Sequence, residues 1–61
     1  MDEVEVFGTV KAITDAAILL ADGDFEVWLP LSQIEYDNDI DVGDDTFVYV
    51  PEWLALEKGL I

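Results

Sequence analysis

Histidine and cysteine are both absent from this 61-residue chain, and Lys11 and Lys58 are its only basic residues. The absence of cysteine excludes disulfides and thiolate-bound metals. No hydroxyl group has a histidine to act as its base, and no glycine-rich loop could cradle a phosphate. Paired carboxylates could do acid–base work, but a domain of this size has little room for a pocket that would shift their pKa values. We therefore expect no enzyme, no cofactor and no metal.

Long apolar runs are also missing, since none approaches the roughly 18 residues that a membrane span requires. The chain begins with MDEVEV, which is acidic where a secretory signal would be basic. Hydrophobic residues nevertheless make up 52% of the sequence, which argues against disorder. We expect one domain spanning residues 1–61, located in the cytoplasm and without membrane contact.

Charge is strongly unbalanced: fifteen Asp and Glu stand against two Lys, for a formal net charge of −13. Affinity for nucleic acid depends mostly on Lys and Arg neutralising phosphates, so direct nucleic-acid binding is disfavoured. A field of this sign attracts basic proteins or cations. The alternative is that the acidity serves only solubility or reflects a high-salt cytoplasm.

The first half of the sequence alternates as strands do. One face of the first strand carries Val4, Val6, Gly8, Val10 and Ala12, and the other carries Glu5, Phe7, Thr9, Lys11 and Ile13. Gly8 in mid-strand predicts a bend or bulge. The apolar run AAILLA then predicts a central strand.

A hairpin is predicted next, because Asp22-Gly23 is typical of a tight turn with positive backbone angles. The following strand, FEVWLP, has its inward and outward sides set by alternation. Phe25, Val27 and Leu29 point inward, and Glu26 and Trp28 point outward. Pro30 should end this strand or place it at an edge.

The second half is predicted to be a turn, a loop, a strand and a helix. LSQI should form a single turn that returns Ile34 to the core, and EYDNDIDVGDD a polar loop anchored by Ile40. After the strand TFVYV, a helix is expected at about residues 51–58, with Pro51 at its first position and Gly59 just beyond its end. The face predicted to pack is formed by Trp53, Leu56 and Leu60.

These elements predict a mainly β fold, a small antiparallel barrel of about four or five strands with a short C-terminal helix. The order of GTVKAITDAAILLADGDFEVWLPLSQI and VGDDTFVYV resembles the S1 subclass of the OB-fold. The resemblance covers about residues 7–50 and implies a barrel of the OB, S1 or SH3-like type. S1 domains present aromatic residues and a His at positions where this chain has Ala17, Ile18 and Pro30. The basic residues that surround these positions in S1 domains are absent from this chain. RNA binding is therefore not carried over.

The segments WLPLSQIE and PEWLALEKGLI resemble small proteins of bacteriophages and their prokaryotic hosts. Those proteins share a Trp-Leu/Ile-Pro-x-Ser-Gln-Ile segment and a Pro-Glu-Trp-Leu-Ala tail. The resemblance implies a phage-encoded protein acting in the host cytoplasm, and it implies no particular activity.

Four aromatic residues are predicted to point outward from the barrel, namely Phe7, Trp28, Phe47 and Tyr49. This is more than a soluble monomer usually exposes. One interpretation is that the C-terminal helix covers them as a second layer. The other is a contact surface for another chain, with Glu5 and Glu26 at its rim. A third interpretation is that nucleic-acid bases stack on these rings, but the adjacent carboxylates would repel the phosphates.

The segment DNDIDVG spaces Asp37, Asp39 and Asp41 as the first ligands of a calcium loop are spaced. An EF-hand loop needs Gly at its sixth position and Glu at its twelfth, where this chain has Val42 and Val48. We interpret the loop as a solvated acidic loop that extends the acidic rim. The alternative is a weak cation site formed by its clustered carboxylates.

The sequence thus predicts a small acidic interaction module that binds a basic protein partner and acts as a mimic of nucleic-acid charge or as an inhibitor. An alternative is an OB-type protein that binds single-stranded nucleic acid in replication or recombination. A third interpretation is a structural subunit whose outward aromatics pair with a second copy of the chain.

Overall fold

The computed structural model describes residues 2–61, which form one four-stranded antiparallel sheet and two short helical segments. The strands are β1 (Glu3–Ile13), β2 (Ala17–Asp22), β3 (Phe25–Pro30) and β4 (Asp45–Pro51), in the spatial order β3-β2-β1-β4. A 3-10 helix, Leu31–Gln33, follows β3, and the α-helix α1, Glu52–Glu57, follows β4. The predicted mainly β class is confirmed, and AAILLA does form an interior strand.

Strand β1 is shared by both halves of the sheet: it pairs with β4 from Glu3 to Thr9 and with β2 from Thr9 to Ile13. Its predicted alternation holds up to Val10, which is fully buried. Lys11 is then an extra residue, because Val10 lies opposite Leu20 and Ala12 opposite Leu19. This bulge shifts the register, so that Ile13 lies opposite Ile18, but Ile13 remains 40% exposed.

Of the bend or bulge predicted at Gly8, the bulge is wrong, because the register of β1 and β4 is regular there, and Gly8 has a further role. A Cβ atom there would lie 2.8 Å from the carbonyl oxygen of Ala21 and 2.9 Å from Cγ of Leu20. Glycine is therefore required because β1 and β2 approach too closely for a side chain.

The β2–β3 hairpin is present where it was predicted, with Asp22 opposite Phe25 and a two-residue connection. Neither Gly23 nor Asp24 has a positive φ, so the predicted turn geometry is wrong. The carboxylate of Asp22 accepts a hydrogen bond from the Gly23 N–H at 2.8 Å, which stabilises the turn in its actual conformation.

Strand β3 ends at Pro30 on one edge of the sheet, as predicted. The 3-10 helix follows, and Ile34 returns to the core with 7% of its surface exposed. Glu35 then forms an isolated antiparallel bridge with Tyr49 of β4. The chain thus passes from the β3 edge of the sheet to the β4 edge.

The core lies on the inner face of the sheet, under α1. Its buried members are Val6, Val10, Ile18, Leu20, Val27, Leu29, Ile34, Val48, Val50, Leu54 and Ala55, with Phe25 and Ile40 partly buried against them. The inward positions predicted for β3 and the anchoring of the loop by Ile40 are confirmed.

The packing face predicted for the helix is wrong. Leu54 and Ala55 are buried, whereas Trp53 and Leu56 are 50% and 59% exposed. The helix follows β4 directly, so the strand fixes its rotation and turns Leu54 and Ala55 toward the core. Only Leu60 of the predicted set packs against the core.

The helix boundaries also differ slightly from the prediction. Pro51 is the last residue of β4 and the N-cap of α1, one position before its predicted place. At the C-terminal end, Gly59 has a φ of 75°, the Gly59 N–H donates to the Leu56 carbonyl and the Leu60 N–H donates to the Ala55 carbonyl. These two bonds form a Schellman motif, which confirms the stop predicted from Gly59.

Within residues 2–61, the structure contains no helix of the length and hydrophobicity needed to cross a lipid bilayer.

Candidate interaction surface

The outer face of β1 and β4 carries a pair of exposed aromatic rings. Phe7 lies directly opposite Phe47, with ring centroids 4.8 Å apart and planes inclined at 55°. In antiparallel sheets the residues of a pair that does not exchange backbone hydrogen bonds lie closest, which brings these two rings into contact. The rings are 45% and 53% exposed.

The interpretation that the C-terminal helix covers the outward aromatics is wrong. Trp28 is 44% exposed and Tyr49 43% exposed, in addition to the two phenylalanines. Helix α1 packs through Leu54 and Ala55 against the core, so it cannot also lie over the outer face. All four predicted aromatics therefore remain accessible.

Tyr49 extends the aromatic surface along β4 and is fixed by a carboxylate. It lies opposite Glu5, and its hydroxyl donates a hydrogen bond to Oε2 of Glu5 at 3.0 Å. This hydrogen bond, together with the negative charge of Glu5, raises the pKa of Tyr49 above its ordinary value. Glu3 and Glu35 add smaller contributions in the same direction. The ring is thus held as a neutral phenol in an acidic environment.

A hollow of about 310 Å³ opens beside these residues at the edge of β4 that faces away from β1, and we call it the edge hollow. Its lining consists of Glu35, Tyr36, Asp37, Phe47 and Tyr49. Three aromatic residues and two acidic residues therefore line one concave surface.

Glu35 and Tyr36 are functional candidates that the sequence reasoning missed. The signal for them was the position of Ile34: a core residue at that point fixes the chain, so the two residues that follow must run along the sheet edge. Tyr36 packs partly against the core.

Trp28 and Glu26 do not belong to this surface. Both lie on β3, which β2 separates from β1, and their cross-strand partners are Leu19 and Ala21. The predicted single patch of four aromatics is therefore divided. Phe7, Phe47 and Tyr49 lie toward the β4 edge of the sheet, and Trp28 lies on the β3 edge.

The three aspartates of the acidic loop, Asp37, Asp39 and Asp41, differ in their contacts. Asp37 lines the edge hollow, and its Oδ1 accepts a hydrogen bond from the Asp39 N–H at 2.9 Å. Oδ1 of Asp41 accepts from the Val42 N–H at 2.8 Å. These carboxylates organise the loop backbone. Among residues 2–61, no three acidic side chains are placed to hold a metal ion together.

The two lysines lie on β1 and at the end of α1. Lys11 lines a second hollow of about 320 Å³ together with Thr9, Ala21, Asp22 and Gly23, and Lys58 is the C-cap of α1. Neither lysine lines the edge hollow.

No protein-family model matches the chain, and no curated protein or solved structure matches it either. The resemblances to S1 domains and to small phage proteins therefore stay predictions.

Proposed function

We propose that this protein is a small acidic interaction module that binds a basic protein partner through the outer face of β1 and β4. The observation that carries the proposal is the exposed Phe7–Phe47 ring pair with Tyr49 and Glu5 beside it. Aromatic residues are enriched at the centres of protein interfaces, and complementary charge at the rim steers and selects the partner.

The proposal includes a finer description of the fold. We infer that the sheet curls into a small barrel of the OB, S1 or SH3-like type, in which β1 serves both halves. The bulge at Lys11 supports this, because bulges increase local twist. The Glu35–Tyr49 bridge supports it too, since it carries the chain from the β3 edge to the β4 edge.

A phage-encoded protein of this kind would act in the host cytoplasm. With a net charge of −13 it would compete for a basic nucleic-acid groove on its partner, as a mimic of phosphate charge. The partner would thereby be inhibited. The charge and the resemblance to phage proteins support this part of the proposal.

The test is affinity capture from a host lysate with three baits: the native chain, a Phe7→Thr/Phe47→Thr double variant and a Trp28→Thr control. Threonine preserves strand propensity, so the fold should persist. We expect a basic protein that the native chain and the control retain, that the double variant loses and that added salt releases. Equal retention by all three baits, or a complex insensitive to salt, would overturn the proposal.

Binding of single-stranded nucleic acid is the second candidate function, and the exposed Phe7–Phe47 pair favours it as a stacking platform. The lysines lie elsewhere, so phosphate would meet carboxylates beside the rings. Titration with an oligonucleotide at about 10 mM salt, where electrostatic attraction is greatest, tests whether the protein binds single-stranded nucleic acid. Tight binding there would replace the leading proposal, and no binding would eliminate this candidate.

Self-association through the same aromatic face remains the third interpretation. Sedimentation at several concentrations separates it from the others, because pairing of two copies doubles the mass and the Phe7→Thr/Phe47→Thr variant should prevent it.

A further inference from the structure

We propose that the edge hollow receives an arginine side chain of the basic partner. The inference rests on the proposed function and deepens it, because it names the chemical group that the acidic module recognises and the residues that recognise it.

The backbone geometry explains why a hollow opens at this place. Glu35 and Tyr49 exchange two backbone hydrogen bonds of 2.9 Å each, as neighbouring antiparallel strands do. The next pair of this kind would join Asp37 to Phe47, but the bridge is isolated and the two segments diverge. The hollow occupies the space between them.

Strand alternation directs the Phe47 backbone into this space. Tyr49 directs its N–H and C=O toward Glu35, away from β1, and a residue two positions along a strand points the same way. The Phe47 carbonyl is thus an acceptor at the wall of the hollow, in addition to the carboxylates of Glu35 and Asp37. It accepts one hydrogen bond from the Thr46 hydroxyl at 3.3 Å and has a second lone pair for a ligand.

The side chains of the hollow suit a delocalised cation. Tyr36, Phe47 and Tyr49 all line the hollow, with Tyr36 also packed partly against the core, and aromatic rings attract cations over their faces. Glu35 and Asp37 supply negative charge, and Glu5 lies behind Tyr49 at hydrogen-bond distance. Neither Lys11 nor Lys58 lines the hollow to compensate this charge.

Arginine fits this set better than lysine does. A guanidinium group is planar, stacks on aromatic rings and offers five N–H donors, whereas an ammonium group is a compact, strongly hydrated charge. Carboxylates and a carbonyl around the same hollow can accept several of those donors at once. The volume of about 310 Å³ is at the low end of ligand pockets, which range over about 300–1,000 Å³, and this suits a single side chain.

The experiment is an NMR titration of the full chain at low salt with three glycine-flanked peptides that contain arginine, lysine or uncharged citrulline. We expect the arginine peptide to shift the ring resonances of Tyr36, Phe47 and Tyr49 and the Phe47 amide. The lysine peptide should bind several-fold more weakly, and the citrulline peptide should produce no shifts at these residues up to millimolar concentration.

Two glutamine substitutions provide a matched pair. Glu35→Gln and Glu26→Gln remove the same charge from exposed side chains, but only Glu35 lines the hollow. Loss of a charge-assisted hydrogen bond should weaken arginine binding on the order of tenfold in Glu35→Gln, and Glu26→Gln should stay close to the native chain. The dispersion of the amide spectrum shows that each variant is folded.

The outcomes separate this inference from the proposed function. The arginine site is refuted if Glu35→Gln and Glu26→Gln bind arginine equally, or if the shifts fall on other residues. The proposed function still stands in that case if the native chain captures a basic partner in a salt-dependent way. If arginine binds in the hollow but no basic partner is captured, the proposed function fails alone. Absence of any arginine-induced shift at these residues also overturns the inference.

Discussion

The rings of Phe7 and Phe47 lie opposite each other across β1 and β4, with centroids 4.8 Å apart, and both remain about half exposed. The contact between the two rings contributes to the stability of the fold, and the exposed part of each ring can still contact a partner. This relationship allows their contribution to folding to be measured separately from their contribution to binding.

We expect Phe7→Thr and Phe47→Thr to show coupled effects on the free energy of unfolding. Exposed cross-strand aromatic pairs contribute about 0.5–1.5 kcal/mol beyond the area they bury, so a double-mutant cycle in urea should give a coupling of that order. Trp28→Thr serves as the control, because Trp28 lies on β3 and should not couple to Phe47. Strictly additive effects of Phe7→Thr and Phe47→Thr would show that the ring contact stabilises nothing.

Gly8→Ala should destabilise the fold by about 1–3 kcal/mol, because overpacking forces the backbone to move. The new Cβ would lie 2.8 Å from the Ala21 carbonyl oxygen. Gly23→Ala is the matched control, with open space around it and no positive φ, and it should change stability by no more than about 0.5 kcal/mol. Equal urea midpoints for the two variants would contradict the close approach of β1 and β2.

Leu54→Ala and Leu56→Ala test which face of α1 packs. Leu54 is 2% exposed and Leu56 59% exposed. Truncation of a buried leucine costs about 2–5 kcal/mol, whereas an exposed one should change stability by no more than about 0.5 kcal/mol. The two free energies of unfolding, measured by denaturant titration, should therefore differ strongly. A larger loss in Leu56→Ala would mean that the helix is rotated.

The hydrogen bond between Tyr49 and Glu5 should appear in alkaline titration. Because the pKa of Tyr49 is raised above its ordinary value of 10.0, the bond to ionised Glu5 stabilises the fold below that ordinary pKa. This stabilisation is lost as the pH rises through the higher pKa of the folded state.

Ultraviolet absorbance of tyrosinate measures this pKa in a Tyr36→Phe background, where Tyr49 is the single tyrosine. Adding Glu5→Gln removes the charge and should lower the pKa of Tyr49 toward its ordinary value. An unchanged titration midpoint in the double variant would rule out Glu5 as the cause.

Added salt should have opposite effects on folding and binding. With a net charge of −13 the native chain repels itself, so sodium chloride should raise the melting temperature by screening. The same screening should weaken the complex with a basic partner. Thermal unfolding and affinity measured over one salt series test both signs. A melting temperature that falls with moderate salt would contradict the role given to self-repulsion.

The sequence predicts the strands well because their alternation is a local property. Val6, Val10, Val27 and Leu29 are buried where period-two alternation places them. The packed face of the helix was harder to predict, since Trp53, Leu56 and Leu54 all lie in one short apolar stretch. The direction in which the chain leaves β4 sets the rotation of α1, and this rotation places Leu54 and Ala55 against the core.

The candidate site was predictable in part. Alternation identified Phe7, Phe47 and Tyr49 as outward residues, but it carries no information about which strands are neighbours. Trp28 was therefore grouped with rings from which the strand order separates it. The edge hollow depends on the Glu35–Tyr49 bridge, a contact between residues distant in sequence that local patterns do not encode.

The strand order has a consequence for how the surface forms in time. Strands β1, β2 and β3 are consecutive and joined by short turns, whereas β4 reaches β1 only after residues 31–44 have been traversed. Short-range hairpins form faster than pairings that must close a long loop. We expect β4 to dock last, which pulsed hydrogen exchange would show as late protection of its amides. A nascent or partly unfolded chain would then lack the ring pair and the hollow altogether, so recognition would be restricted to molecules that have finished folding.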